Sequence, residues 1–405
     1  MIGAFWWTLL LALLILSAAT RDARLFLFVI LLAAGSAVSA LWSRFSLSEL
    51  YYQRHFGRRR LEYGEETDLT IDVFNAKPLP LPWVLISDQY PDGVELLTGQ
   101  LGTSKAVSFK SALVNFLALR WYERVRRVYR LRGGNRGVFP FGPAEIYAGD
   151  VFGFRRQNRR DTHLDRLVVY PRIVPVEMLG LPAARPSGDF ATARRILEDP
   201  LRFRGVREYR AGDSLRHVHW KASARQGQLQ TRVFDPSASR VIMLLIDVQT
   251  TEQPYGLVPE YLELLICAAA SMASQNLEAG HAVGLMANSS AVTNSELIRL
   301  PAGRRPEQLA LLLEGMAELT GFRLTSLTRL LGIIGSDLPY GATLVVFTSR
   351  PEAEVMEQLL SLQDAGHGVV LITAGEAPPD VPPQIISYHL GGTESWHELE
   401  SFELA

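Results

Sequence analysis

The chain has 405 residues, enough for two or three domains, and 48% of them are hydrophobic, which excludes an intrinsically disordered chain. The 41 Lys and Arg residues nearly balance 42 Asp and Glu residues, and the formal net charge of −1 argues against a globally basic nucleic-acid binder. Cys267 is the only cysteine, so the chain has neither an internal disulfide nor a cysteine-based zinc site.

Two apolar stretches at the N-terminus, residues 2–19 and 25–42, predict a transmembrane hairpin within 1–44. Each would span about 27 Å as a helix, close to the thickness of a hydrocarbon core. Trp42 lies at one end, where an aromatic anchor is expected. The alternative is a signal peptide ending near Ala19, but it lacks a positively charged start and a second span follows at once.

Basic residues set the expected orientation of this hairpin. The short link between the spans carries two arginines, and five arginines follow the second span between residues 44 and 60. Because positive charge favours the cytoplasmic side, we expect a multi-pass protein of the plasma membrane with its C-terminal domains in the cytoplasm.

The segment 61–156 has the pattern of a β-sandwich-like domain. Residues 69–75 alternate apolar and polar side chains, and 83–86, 106–109 and 125–131 predict further strands between turn-forming residues. Arginines are concentrated between 120 and 136, and Tyr122 and Tyr129 are weak candidates for the stacking aromatic residues that a nucleic-acid groove requires. We therefore interpret them as a solvated face or a protein contact.

A connector over 157–235 carries the most distinctive motif, and nothing in it forms a standard catalytic set. Gly212 suits a turn, Asp213 suits a helix N-cap, and Arg216 and Trp220 would share a helix face. The carboxylates of Glu208 and Asp213 lie among arginines, which favours ion pairs over acid–base chemistry. His217 and His219 are two residues apart, unlike paired helical metal ligands. The motif therefore predicts a structural network or a partner-binding surface.

The motif consists of Arg207, Glu208, Tyr209, Gly212, Asp213, Arg216, Trp220, Ala224 and Arg225. It resembles the signature of the family called "domain of unknown function 58". The resemblance implies a membrane-tethered protein with a von Willebrand factor A-like domain, commonly linked to MoxR-type AAA+ ATPases. It covers nearly the whole chain and implies architecture more than activity.

Buried-type strands alternate with helices over 236–390, which predicts a Rossmann-like parallel sheet with helices on both faces, in agreement with the von Willebrand A-like α/β fold that the resemblance implies. Strands are expected at 241–246, 343–347 and 369–372. The tail, 391–405, reads as a frayed end or a docking peptide.

The von Willebrand fold often binds Mg²⁺ through Asp-x-Ser-x-Ser after the first strand, and this chain keeps only a degenerate version. Asp247 is present, Gln249 replaces the first serine, and Thr251 could stand for the second. Arg350 follows a later strand where an aspartate is expected, and its charge disfavours a divalent cation. We expect Asp247 to cap a helix or pair with an arginine.

Together these features predict a membrane-anchored, non-enzymatic adaptor that presents cytoplasmic domains to a protein partner, an AAA+ ATPase by the resemblance. No cofactor is expected. The alternative is a Mg²⁺-dependent ligand-binding domain built on Asp247. An enzyme acting through Glu208, Asp213, His217 and His219 is the weakest hypothesis, because the chain shows no nucleophile motif, phosphate loop or ligand cluster.

Overall fold

The computed structural model describes residues 11–17, 19–20, 23–99, 101–103, 111–151, 155–179, 198–208, 218–236, 241–253, 256–292, 296–339 and 341–401. The chain divides into two compact units, Met1–Val169 and Tyr170–Ala405. The larger apolar core clusters each lie within one of these units.

A long apolar helix, α1 (Ala23–Ser46), begins the described part of the first unit. Among the described residues it is the one helix long and apolar enough to cross a membrane. Most of its side chains are exposed, and Leu31 is 63% exposed. Helix α1 contains the predicted span 25–42. The other predicted span, 2–19, falls largely outside the described residues, although 11–17 are helical.

The rest of the first unit is made of β-strands, antiparallel in most pairs. One sheet has the order β1-β3-β8-β5, a second β11-β10-β4-β7-β6, and a third β2-β12-β9. The strands are β1 (Leu50–Phe56), β2 (Arg60–Leu61), β3 (Glu66–Asn75), β4 (Leu81–Gln89), β5 (Glu95–Leu96), β6 (Leu101–Thr103), β7 (Ser111–Leu119), β8 (Arg124–Arg132), β9 (Gly137–Phe141), β10 (Ala144–Gly149), β11 (Arg156–Asp161) and β12 (Asp165–Val169).

One apolar core joins these sheets. Alternation along β3 turns Ile71 inward, and Ile86 of β4 and Ile146 of β10 meet it in the same cluster. Strands β1 and β12 lie outside the predicted domain 61–156 but pair with β3 and β9, so the sheets begin at residue 50 and end at 169. The predicted strand 106–109 lies outside the described residues.

Arginines of β8 cover a solvated face of the first sheet. Arg124 and Arg126 lie 3.6 and 3.5 Å from the carboxylate of Asp72, and Arg132 lies 2.9 Å from Glu66. Asp72 and Glu66 belong to β3, the neighbouring strand, so the basic run is partly neutralised across the strand pair.

The second unit begins with a short helical turn, Val176–Leu179, and then a two-stranded antiparallel sheet of β13 (Glu198–Glu208) and β14 (Gln230–Pro236). Between them lies α2 (Trp220–Gln226), capped by His219, whose Nδ1 accepts a hydrogen bond from the Ala222 amide at 3.1 Å. Helix α2 begins at Trp220. Arg216, which the sequence predicts to share a helix face with Trp220, lies outside the described residues.

A sheet of seven described strands forms the centre of the second unit. Its order is β17-β16-β15-β19-β20-β21, with β18 paired antiparallel to β16. The pairs among β16, β15, β19, β20 and β21 are parallel, whereas β17 is antiparallel. The strands are β15 (Val241–Ile246), β16 (Ala282–Ala291), β17 (Leu297–Gly303), β18 (Leu319–Arg323), β19 (Thr343–Thr348), β20 (Gly368–Thr373) and β21 (Ile386–His389).

Helices cover both faces of this sheet, so the second unit is an α/β unit. The helices are α3 (Pro259–Glu278), α4 (Gln308–Ala317), α5 (Leu327–Asp337), α6 (Ala353–Asp364) and α7 (Thr393–Ser401). Successive residues of β15 show the division: Leu244 belongs to the core beneath α3, and Leu245 to the core beneath α5 and α6.

The expectation that the tail frays is wrong as far as Ser401. Helix α7 buries Trp396 and Leu399 in the same core as α3. These two side chains are three residues apart and therefore share one helix face, which explains how a short acidic segment is held.

Candidate functional site

The strongest candidate site is the edge of the seven-stranded sheet where β15 and β19 end. These two strands are adjacent, yet the chain leaves β15 towards β16 on one side and leaves β19 towards β20 on the other. Open α/β sheets bind ligands outside the carboxyl ends of the strands at such a switch point. Asp247 directly follows β15, and Thr348 is the last residue of β19.

Hydrogen bonds tie the buried carboxylate of Asp247 to the neighbouring strands. Its Oδ2 accepts from the Thr348 hydroxyl at 2.8 Å, and its Oδ1 accepts from the Asn288 amide at 2.6 Å and from the Gln249 backbone at 3.1 Å. Asn288 belongs to β16, and its Oδ1 accepts from the Val248 backbone at 2.9 Å. We call Asp247, Asn288 and Thr348 the strand-end latch, because it joins the ends of three adjacent strands.

Burial dominates the electrostatics of this latch. Removal from water raises the pKa of Asp247, while its hydrogen bonds with Thr348, the Gln249 amide and Asn288, and the charge of Arg323, act in the opposite direction. Asn288 and Thr348 are fully buried, so neither finds water if the carboxylate is removed.

The residues expected for a degenerate metal site contact protein groups instead. The Thr251 hydroxyl donates to the Gln253 carbonyl at 3.2 Å, and the Thr251 carbonyl accepts from the Arg350 guanidinium at 3.1 Å. Arg350 also lies 3.7 Å from the carboxylate of Glu252. Among the described residues, no group of three His, Cys, Asp or Glu side chains is placed to hold a metal ion. With both oxygens of Asp247 bonded to donors and a cation beside Thr251, this donor set fits Mg²⁺ poorly.

An exposed apolar surface lies beside the latch. Strand β18 pairs with the end of β16, with Arg323 opposite Ser289. The backbone amide of Leu324 donates to the backbone carbonyl of Asn288 at 2.8 Å. Phe322 is 72% exposed, and Leu257 and Leu324 are exposed too. We call Leu257, Phe322 and Leu324 the apolar edge.

Leu257 packs closely over Gly321. A Cβ at this position would lie 2.5 Å from Cδ2 of Leu257, so a larger residue here would require the leucine side chain to shift. Arg323 bonds the side chain of Gln249, which places a guanidinium between the apolar edge and the latch.

The motif that dominates the sequence belongs to a different part of the second unit. Arg207 and Glu208 end β13, opposite Thr231 and Gln230 of β14. The side chains of Trp220 and Arg225, both in α2, are exposed. Tyr209, Gly212, Asp213 and Arg216 lie outside the described residues.

The sequence singled out Asp247 and Arg350 but missed Asn288, Thr348 and Phe322. Thr348 is the last residue of an apolar strand, and Asn288 is the first polar residue after the apolar run of β16; those positions are the signal that marks them. Phe322 lies in a strand of five residues interrupted by Gly321, which is too short for a periodicity to register.

Comparisons with known proteins match part of this chain. The model of the family described as "Protein of unknown function DUF58" matches residues 205–377. "Uncharacterized protein YeaD" of Bacillus subtilis is 26% identical over 210 residues, 52% of this chain and 50% of that protein, so the matched region spans about half of this relative. These two matches confirm the predicted resemblance.

Solved structures give weaker similarities. The CARDB domain of the PF1109 protein from Pyrococcus furiosus is 7% identical, with 30% of this chain and 91% of that chain covered and a TM-score of 0.21. Native E. coli alpha-2-macroglobulin is 16% identical, with 31% and 7% covered and a TM-score of 0.23. Scores this low assign no fold.

Proposed function

We propose that this chain, a DUF58-family protein over residues 205–377, is a membrane-anchored, non-enzymatic adaptor that presents its two units to a protein partner. The observation that carries the proposal is the apolar edge, with the exposed ring of Phe322 beside strand ends whose polar groups are already bonded to one another. Such a surface suits a protein partner better than a small polar substrate, because the latch leaves its carboxylate no free oxygen.

Helix α1 supports the membrane anchor. Its 24 residues would extend about 36 Å, more than a hydrocarbon core requires, and its apolar side chains face outwards. The proposal includes a second span at 2–19, plasma-membrane location and cytoplasmic orientation, which rest on the apolar sequence and the arginine count after the second span.

The strand order supports the interpretation of the second unit as a doubly wound, von Willebrand A-like fold. Counting β15, β16, β17, β19, β20 and β21 as one to six gives the order 3-2-1-4-5-6, with the third strand antiparallel. That order is typical of doubly wound sheets, and the more specific fold rests on the family resemblance.

The chemistry of the apolar edge indicates the kind of partner. Aromatic and arginine side chains carry much of the binding energy at protein interfaces, and here Phe322 is flanked by Arg323, with Arg350 at the neighbouring strand end. We propose a partner surface with an apolar pocket and acidic rim residues. A MoxR-type AAA+ ATPase is the partner that the family resemblance suggests.

Crosslinking tests this proposal, because the chain provides a matched control. Phe322→Ser removes the ring from the apolar edge, whereas Phe116→Ser removes a similarly exposed ring, 62% exposed, from the first unit. Full-length protein is purified from gently solubilised membranes of its host after mild crosslinking, and the captured proteins are identified. We expect an AAA+ ATPase with the wild type and with Phe116→Ser, and at least a tenfold loss with Phe322→Ser. Equal capture by both variants, or no ATPase with the wild type, would overturn the proposal.

A further inference from the structure

The last turns of α1 are held against the first unit by a buried hydrogen bond. The hydroxyl of Ser39 donates to Oδ2 of Asp150 at 2.8 Å, and both side chains are buried. The other carboxylate oxygen of Asp150 accepts from the Arg155 amide at 2.8 Å, and its carbonyl accepts from Trp83 Nε1 at 3.2 Å. The turn after β10 is therefore fixed beside the helix.

This contact sets the depth of the first unit relative to a membrane. Ser39 precedes Trp42 by three residues, about 4.5 Å along the helix axis. If Trp42 lies at the interface, Asp150 reaches the level of the outermost hydrocarbon, and the 57%-exposed Val151 beside it faces lipid. The residues around the end of α1 would then lie among lipid head groups.

A cavity of about 620 Å³ opens at this level within the first unit. Apolar residues, including Trp42, Pro80 and Val151, contribute to its wall together with polar groups. Its size falls in the range of small-molecule sites. Two charged side chains, Arg120 and Glu123, complete the lining.

Glu123 is bonded to the backbone of Arg120. Oε2 of Glu123 accepts from the backbone amide of Arg120 at 2.6 Å, which fixes the turn between β7 and β8. Within the described part of the chain, the exposed Arg120 guanidinium has no acceptor. The cavity therefore offers one cation, one carboxylate and a partly apolar wall.

We propose that this cavity holds the head group of a zwitterionic phospholipid that carries a primary ammonium group, phosphatidylethanolamine. The Arg120 guanidinium binds the phosphate, the Glu123 carboxylate receives the ammonium, and the glycerol lies against Trp42. Trp121 and Tyr122, exposed in the same turn, lie at the level where aromatic rings favour the lipid interface. This inference rests on the membrane anchor of the proposed function.

Lipid retention by the full-length protein tests the assignment. The protein is reconstituted in nanodiscs with equal parts phosphatidylethanolamine, phosphatidylcholine and phosphatidylglycerol, and the retained lipids are identified by native mass spectrometry. We expect phosphatidylethanolamine to be retained at least fivefold over the other two. Arg120→Gln abolishes retention, and Glu123→Gln removes the preference over phosphatidylcholine. Arg166→Gln, an exposed arginine of β12, is the control and changes nothing.

Three results would overturn the inference. They are equal retention of the three lipids, retention unaffected by Arg120→Gln, and a preference for phosphatidylglycerol. Extraction of native membranes with alkaline carbonate separates this failure from that of the anchor. A chain that carbonate releases has no membrane-spanning anchor, so both proposals fail, whereas a chain that stays in the membrane and retains no specific lipid removes this inference alone.

Discussion

Removing the Asp247 carboxylate is the sharpest test of the strand-end latch. Asp247→Ala takes the acceptor from three donors, two of which, Asn288 and Thr348, are fully buried. A stranded buried donor costs about 1–3 kcal/mol, and the Thr348 hydroxyl can rotate towards another acceptor while the Asn288 amide cannot. Loss of a buried carboxylate offsets part of this cost. We expect Asp247→Ala to lower the free energy of unfolding by about 3 kcal/mol.

Asp247→Asn is the matched variant, because an amide side chain can keep the same hydrogen-bond partners. Its carbonyl oxygen still accepts from Asn288 and the Gln249 amide, and its NH₂ donates to the Thr348 hydroxyl, which accepts equally well. We expect this variant to unfold within about 1 kcal/mol of the wild type.

Thermal unfolding of the full-length protein in detergent measures the difference. For a unit of this size, 3 kcal/mol corresponds to about 6–12 °C in the unfolding temperature. Thr348→Val and Thr348→Ser extend the series, since the first loses the hydroxyl and the second keeps it. Equal unfolding temperatures for Asp247→Ala and Asp247→Asn would refute the latch. A rise with Mg²⁺ in the wild type, absent from Asp247→Asn, would show instead that the carboxylate binds metal.

Two further predictions concern the first unit. Arg54 is buried and bonds Asp88 at 2.8 Å and Asp165 at 3.0 Å. Asp165 keeps an ion pair with Arg59 at 3.0 Å, so Arg54→Leu should leave the buried Asp88 carboxylate without its cation and cost about 3–5 kcal/mol, measured by denaturant unfolding; a loss below 1 kcal/mol would contradict this. Burial lowers the pKa of Lys77 from its ordinary 10.5 to about 8, so between these values the unfolded chain binds more protons and the free energy of unfolding rises with pH. Lys77→Met should flatten that rise relative to the wild type; an unchanged slope would contradict it.

Local sequence patterns predicted the elements whose side chains follow a regular pattern of hydrophobicity. Strand β3 alternates along its length, and α1 is apolar through a full membrane thickness, so both follow from neighbouring residues alone. Strand β18 and helix α7 escaped prediction, because each is short and is held by tertiary contacts: β18 by pairing with β16, and α7 by Trp396 in the core.

The candidate site was likewise predictable from the sequence only in part. The position of Asp247 at the end of an apolar strand made it visible, but its role depends on residues 41 and 101 positions away, which no local pattern connects. The motif resemblance pointed to the segment around Arg207, whereas the apolar edge depends on the pairing of β18 with β16. The resemblance identifies a family from a local motif. The apolar edge can be recognised only once the fold brings distant strand ends together.

The latch also supports the proposal that the apolar edge binds a protein partner. A surface that must reorganise on association loses part of its binding energy to ordering, whereas a rigid one keeps it. Asn288 links the latch to the apolar edge directly, since its side chain donates to Asp247 and its backbone carbonyl accepts from the Leu324 amide. The carboxylate that fails to fit a metal site therefore stiffens the backbone that displays Phe322. On this reasoning, Asp247→Ala should weaken partner capture without touching the interface, whereas Asp247→Asn should preserve it.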